Sequence, residues 1–398
     1  MNAQSQTLPV QAIPDSSTSV ARIAGLPWHY VFAAFGAACI PLGTLWDISW
    51  HETIGRDTFW TPAHMMIYLG GTLPGCICGW MVLKYTFWPK PETTDATVPV
   101  WGFRGPIGGW VIILGSFIML LSGPFDDWWH NAYGLDVKIV SPPHALLALG
   151  TTNVAIGALI LTISWQNRAT PEQRPMASGM LLFCCGVLVI QLAIFITEFA
   201  FPNQQHAAFF YQVVCLQFPF FLVVAARATP FRWAATGAAA VYTGAVLAMV
   251  WILPLFAAHP MLAPIYIPVD HMVPPPFPLL IIVPAFGLDL VMQFFGRRPG
   301  FWRDTGVALL IAVVFFLLLL AVQWPISKFL LSPAADNRFF AGGRIWPYFV
   351  NPGPGLHEFW DAKSNPLTVG AAVIAILLAV VPARIGLGFA NWLRTVKR

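Results

Sequence analysis

Two short stretches of this chain carry residue types that bind metal ions, in nearly the same order. In the first, Trp46 to His64 (WDISWHETIGRDTFWTPAH), Asp47 and His51 stand four residues apart, so on a helix they share a face. His64 follows Thr61-Pro62, a pair in which Thr caps a helix and Pro opens it, which puts His64 in that helix's first turn. Two helix ends joined by a short loop then aim one carboxylate and two imidazoles at one point. The second stretch, FDDWWHNAYGLDVKIVSPPH, repeats the pattern with Asp126, His130 and His144. Its closing His again follows a proline pair, Pro142-Pro143, and comes one residue later than in the first copy. A single D-x3-H is common by chance, but two copies, each closing on a His at the start of an apolar helix, point to metal sites. Two imidazoles and a carboxylate suit copper, zinc or iron, and ligand type alone does not choose among them. Asp57 and Asp136 suit the role of supporting carboxylates that accept the second ring N–H of a ligating His; a loop ion pair with Arg56 or Lys138 is the plainer alternative. Asp127 competes with Asp126, although it lies three residues from His130 and not four.

The elements that must position these groups are membrane helices. The 398 residues are 57% hydrophobic and only 10% charged, too few charges to cover so much apolar material in water. The fold class expected is all-α, a polytopic transmembrane helical bundle of about ten spans. These lie near 27–46, 62–87, 106–125, 143–165, 177–200, 207–227, 233–257, 277–296, 305–330 and 367–388. The first and third spans end at the two motifs, and the second and fourth begin at His64 and His144. Three regions follow: a polar, disordered tail over 1–25 without the apolar run of a signal peptide, a four-helix metal-binding region over 26–166, and a further six-helix region over 167–398 with a long outer segment, 331–366. All six cysteines fall within apolar spans, which speaks for packing and against a disulfide framework. No basic patch of the nucleic-acid-binding kind is present.

Fifteen of the 21 Lys and Arg fall in one set of loops together with both termini; only Arg56, Lys138, Lys328, Arg338, Arg344 and Lys363 fall opposite. The positive-inside rule then puts both termini in the cytoplasm of a multi-pass inner-membrane protein, with the metal motifs near the periplasmic face. The histidines sort the other way. All but His29 belong to the outer side, with His206, His259, His271 and His357 joining the four of the motifs. Secondary candidates there are Glu198, which ends the fifth span, with His206, which opens the sixth, and, without a second converging helix, the pair Asp270-His271 and His357 with Glu358 and Asp361. Asp289, near the opposite face, is expected to pair with Arg297 or Arg298. Trp46, Trp50, Trp60, Trp128 and Trp129 flank the motifs, as interface anchors, as walls of an apolar pocket or as one-electron relays.

The run Trp50 to His64 follows W-H-x-T-I-x-R-D-T-x-x-T-P-x-H, which is similar to the signature of the C subunit of copper membrane monooxygenases, the family of particulate methane and ammonia monooxygenases. The resemblance covers about residues 30–165. It implies that Asp47, His51 and His64 hold a catalytic copper. The family's second triplet is Asn, His and His at the spacing of Asp126, His130 and His144, so an Asp here replaces the Asn. It also implies A- and B-like partner subunits in an oligomer, although nothing like the B subunit's cupredoxin-like part is encoded. Residues 170–398 match no part of the family. The function expected is a copper-dependent membrane monooxygenase subunit, hydroxylating a small apolar substrate of the methane, ammonia or short-hydrocarbon class with dioxygen and electrons from a quinol or other donor. The alternative is a non-enzymatic membrane copper-handling protein; its eleven Met, however, form no ladder of Cu(I) ligands. A haem protein is disfavoured by the Asp beside each candidate axial His.

Overall fold

The computed structural model describes residues 28–54, 60–91, 96–134, 141–259, 271–295, 298–330, 332, 335 and 365–398. Away from water a backbone must satisfy its own polar groups, and the helix does this within one segment. The described chain is accordingly helical nearly throughout, and nine of its helical segments are long and apolar enough to cross a membrane.

The first four helices form two antiparallel pairs. Helices α1 (Trp28–Thr53) and α2 (Pro62–Phe87) make one; α3 (Ile107–Tyr133) and α4 (Pro142–Arg168) make the other. In both, the backbones touch through glycine. A Cβ on Gly70 would lie 2.7 Å from the Gly36 carbonyl oxygen, and one on Gly115 would lie 2.7 Å from that of Gly150. Such close approach gives membrane helices the packing that a hydrophobic driving force supplies in water. Helix α2 then packs on α3, and α1 on α4, giving a four-helix unit. Strands β1 (Val98–Val100) and β2 (Phe103–Gly105) link α2 to α3 by a tight antiparallel turn in which Trp101 and Gly102 both take positive φ, 49° and 85°. Arg104 N–H donates to Thr86 Oγ1 at 2.8 Å, tying this turn to the end of α2.

The remaining helices are α5 (Arg174–Ile194), α6 (Ala208–Gln217), α7 (Pro219–Ala228), α8 (Ala234–Ile252), α9 (Ile282–Phe295), α10 (Phe301–Leu330) and α11 (Val369–Leu393). Helices α6 and α7 abut at Phe218 and act as one apolar span. Helix α5 packs on α4 and α1, α8 on α5, α9 on α8 and α10, and α11 on α6, α7 and α10. One continuous buried core runs through both regions.

Two expectations are corrected. The span placed at 277–296 contains a helix of only 14 residues. Pro274, Pro275, Pro276 and Pro278 precede it; proline lacks the N–H a helix needs and pushes the residue before it to extended backbone. Met272 to Leu279 are non-helical and buried, with Tyr242 Oη donating to the Pro278 carbonyl at 2.9 Å. The first and third spans do not stop where the motifs begin. Their helices run through them, to Thr53 and Tyr133.

Candidate metal centre

Helix continuation through the motifs puts Asp47 and His51 on adjacent turns of α1, and Asp126 and His130 on adjacent turns of α3. The partner imidazoles are set by caps. Thr61 holds extended backbone and its hydroxyl accepts from His64 N–H at 3.1 Å, with Pro62 opening the helix. Ser141 does the same for His144 at 3.4 Å, with Pro142 in the equivalent place. Both histidines therefore occupy the third helical position, and the cap fixes where each ring points. The residue that lengthens the second copy falls at the end of α3, which runs three residues past His130 where α1 runs two past His51.

At the first centre, His64 Nε2 lies 3.1 Å and His51 Nε2 3.5 Å from the same oxygen, Asp47 Oδ1. One ligand atom from each residue lies within 4.8 Å of the others, the only such group of three among the described residues. The Asp47 oxygen is buried, yet neither ring meets it in a hydrogen-bonding direction. Metal bonds of about 2 Å set neighbouring ligand atoms roughly 3 Å apart, so the residues present fit an ion. The imidazole planes are inclined at 48° with centroids 6.4 Å apart, so they converge without stacking. The side chains of His51 and His64 remain 33% and 25% exposed, which leaves a side open to an incoming molecule.

The second centre repeats this more loosely. His130 Nε2 lies 3.1 Å from Asp126 Oδ1, and His144 Nε2 lies 3.7 Å from it. Asp126 Oδ1 is likewise buried without a hydrogen bond. His130 Nδ1 is 3.1 Å from the carbonyl of Gly134, the residue that ends α3, so the chain's own turn orients that ring. Asp127 is exposed and engaged with Asn131, and does not join the group. Both centres lie at one end of the four-helix unit, where α1 and α3 end and α2 and α4 begin.

Of the flanking tryptophans, Trp46 and Trp50 are half-buried and pack against the core beside Asp47 and His51. Trp60 and Trp128 are 73% and 54% exposed and serve the surface. Trp129 stands against Tyr133 with ring centroids 4.5 Å apart.

The secondary candidates separate. His206 is buried against the Trp324 ring, with Ser327 Oγ 3.0 Å from Nδ1. Burial, with Lys328 nearby, pulls its pKa down to about 4, so this ring is neutral and packed against α10. His271 pairs by backbone with Ala257. For Asp289 the described partners lie on a neighbouring helix, and Arg297, one of the two arginines expected to pair with it, lies outside the described residues. The Asp289 carboxylate accepts from the N–H groups of Ala235 and Thr236 and from the Thr236 hydroxyl, capping α8 from a neighbouring helix. No sequence spacing announces such a cap, because α9 and α8 meet only on folding. Arg56, Asp57, Asp136, Asp270, His357, Glu358 and Asp361, and the side chain of Glu198, lie outside the described residues.

Compared with protein-family models, curated proteins and solved structures, the chain matches none, and the centre stands on its own geometry.

Proposed function

We propose that this chain is the copper-bearing subunit, or a homologue of it, of a copper-dependent membrane monooxygenase that hydroxylates a small apolar substrate with dioxygen. The observation that carries the reading is the approach of His51 and His64 to one Asp47 oxygen without hydrogen-bond alignment, at the joined ends of two membrane helices. A buried carboxylate between two imidazoles is costly unless a cation or protons neutralise it. Copper held by three ligands with an open position supplies the chemistry that binds and reduces dioxygen.

The chain's own residues do the rest. Asp47 contributes negative charge beside both imidazoles. His51 and His64, each fixed by its helix, keep the open side toward the surface. Trp46 and Trp50 supply apolar walls that favour a small hydrophobic molecule over water. Asp126, His130 and His144 hold a second copper or assist electron and proton delivery. Hydroxylation of a C–H or N–H bond consumes one dioxygen, two protons and two electrons, giving the hydroxylated product and water. A quinol bound by an A- or B-like partner subunit is the electron source in this proposal. The sorting of Lys and Arg to the end opposite the histidines supports cytoplasmic termini and a periplasmic metal end.

Metal analysis of the purified wild type beside His51→Ala and His130→Ala tests the sites; copper content unchanged in both variants would eliminate them. Quinol-dependent dioxygen uptake with a short hydrocarbon or ammonia tests the reaction. Copper lost with His51, but without dioxygen uptake even with partner subunits present, selects the copper-handling alternative.

A further inference from the structure

The end of the molecule opposite the two metal motifs contains a cleft of about 350 Å³, lined by Gln166 and Asn167 at the end of α4, Arg174 at the start of α5, Arg227 at the end of α7, and Arg394 and Lys397 after α11. Four of its lining residues are cationic and none is acidic. Arg227 is 2% exposed. One of its nitrogens, Nη2, meets Asp304, whose other oxygen accepts from Asn391 Nδ2 at 3.1 Å. The Nε and Nη1 groups of the same guanidinium are buried without a hydrogen-bond partner. Unpaired buried donors on a charged group are rare and expensive, so an acceptor is missing from this wall. Gln166 Oε1, also buried and unpartnered, asks for a donor; its Nε2 is already spent on the Ala228 carbonyl at 2.9 Å. The opposite wall is pinned. Asn167 Nδ2 donates to the carbonyls of Leu393 and Val396 at 3.0 and 2.6 Å, which holds Arg394 and Lys397 over the cleft.

We infer that this cleft binds a phosphate group that also offers a hydroxyl, either the headgroup of an anionic phospholipid or free hydrogen phosphate. Phosphate oxygens answer the unpaired donors of Arg227 and the charges of Arg174, Arg394 and Lys397, and the hydroxyl answers Gln166. The site is independent of any metal at the other end.

The test uses full-length protein in phosphatidylcholine nanodiscs, with wild type beside Arg394→Gln/Lys397→Gln and a control, Lys84→Gln/Lys90→Gln, that removes two charges outside the cleft. Arg227 is left intact because its pairing with Asp304 supports folding. Native mass spectrometry reads retention of added phosphatidylglycerol; thermal unfolding in phosphate against chloride at equal ionic strength reads free phosphate. The cleft double variant should bind at least about tenfold more weakly than wild type, with the control unchanged. Retained phosphatidylglycerol identifies a headgroup, and a phosphate-specific rise in unfolding temperature without lipid retention identifies the free anion. Wild type preferring neither, or equal loss in cleft variant and control, overturns the proposal. Copper content stays at the wild-type value in the cleft variant, so failure here leaves the metal centre untouched.

Discussion

The α1–α2 and α3–α4 pairs are built on one plan and close on their ligands to different degrees. Asp47 and Asp126 sit on the first helix of each pair with a His one turn on, and His64 and His144 each follow a hydroxyl cap and a proline. Below them, Gly36 meets Gly70 as Gly115 meets Gly150. The difference lies at the top. The longer carboxylate–imidazole distance is 3.5 Å in the first centre and 3.7 Å in the second, and the second does not gather its three ligand atoms within 4.8 Å. His144 is 37% exposed against 25% for His64. The framework is the same in both copies; the second carries one more helical residue after its first His, and its ligands close less far. A tight centre beside a looser one is the arrangement expected if the first holds its ion firmly and the second exchanges it.

That contrast can be broken most directly at the ligands. His64→Ala should weaken copper binding by more than about 100-fold, beyond what loss of a supporting group costs, while His144→Ala should lower total affinity by about tenfold or less. Competition against a copper chelator measures both, and equal losses would erase the distinction between the centres. Next in size, Gly70→Ala and Gly150→Ala should each destabilise by roughly 1–3 kcal/mol, since the new Cβ would fall 2.7 Å from the Gly36 carbonyl oxygen in one case and 2.8 Å from Met119 N in the other. Thermal unfolding of the two variants should agree; a freely tolerated alanine in one pair would show that the shared plan is only apparent. The smallest effect concerns the caps. Thr61→Ala and Ser141→Ala should each cost about 1 kcal/mol of helix-end stability, Thr61 more because its bond is the shorter, 3.1 against 3.4 Å. Amide hydrogen exchange at His64 and His144 reads this locally, and a larger effect at Ser141 would reverse the ranking.

Much of the centre was legible because its signals are local. A four-residue step on a helix and a hydroxyl–proline start each act within one turn, so the runs WTPAH and SPPH state where their histidines stand before any tertiary contact forms. Ser141 caps α4 as Thr61 caps α2, beside the Pro142-Pro143 pair that carries the stronger local signal. The tight turn at Trp101-Gly102 carries a weaker local signal, since of its two positive-φ residues only Gly102 favours that backbone.

Composition alone settles that the described chain is a bundle of long apolar helices, since 10% charged residues cannot solvate it. Residue spacing alone nominates Asp47, His51, His64, Asp126, His130 and His144. Folding decides the rest: which triplet closes more tightly, that Asp289 caps a helix 50-odd residues earlier in the chain, and that Gln166, Arg174, Arg227 and Arg394 share one cleft. Those facts depend on distances between helices, and a helix encodes its own periodicity but not the depth or rotation at which a distant helix will meet it.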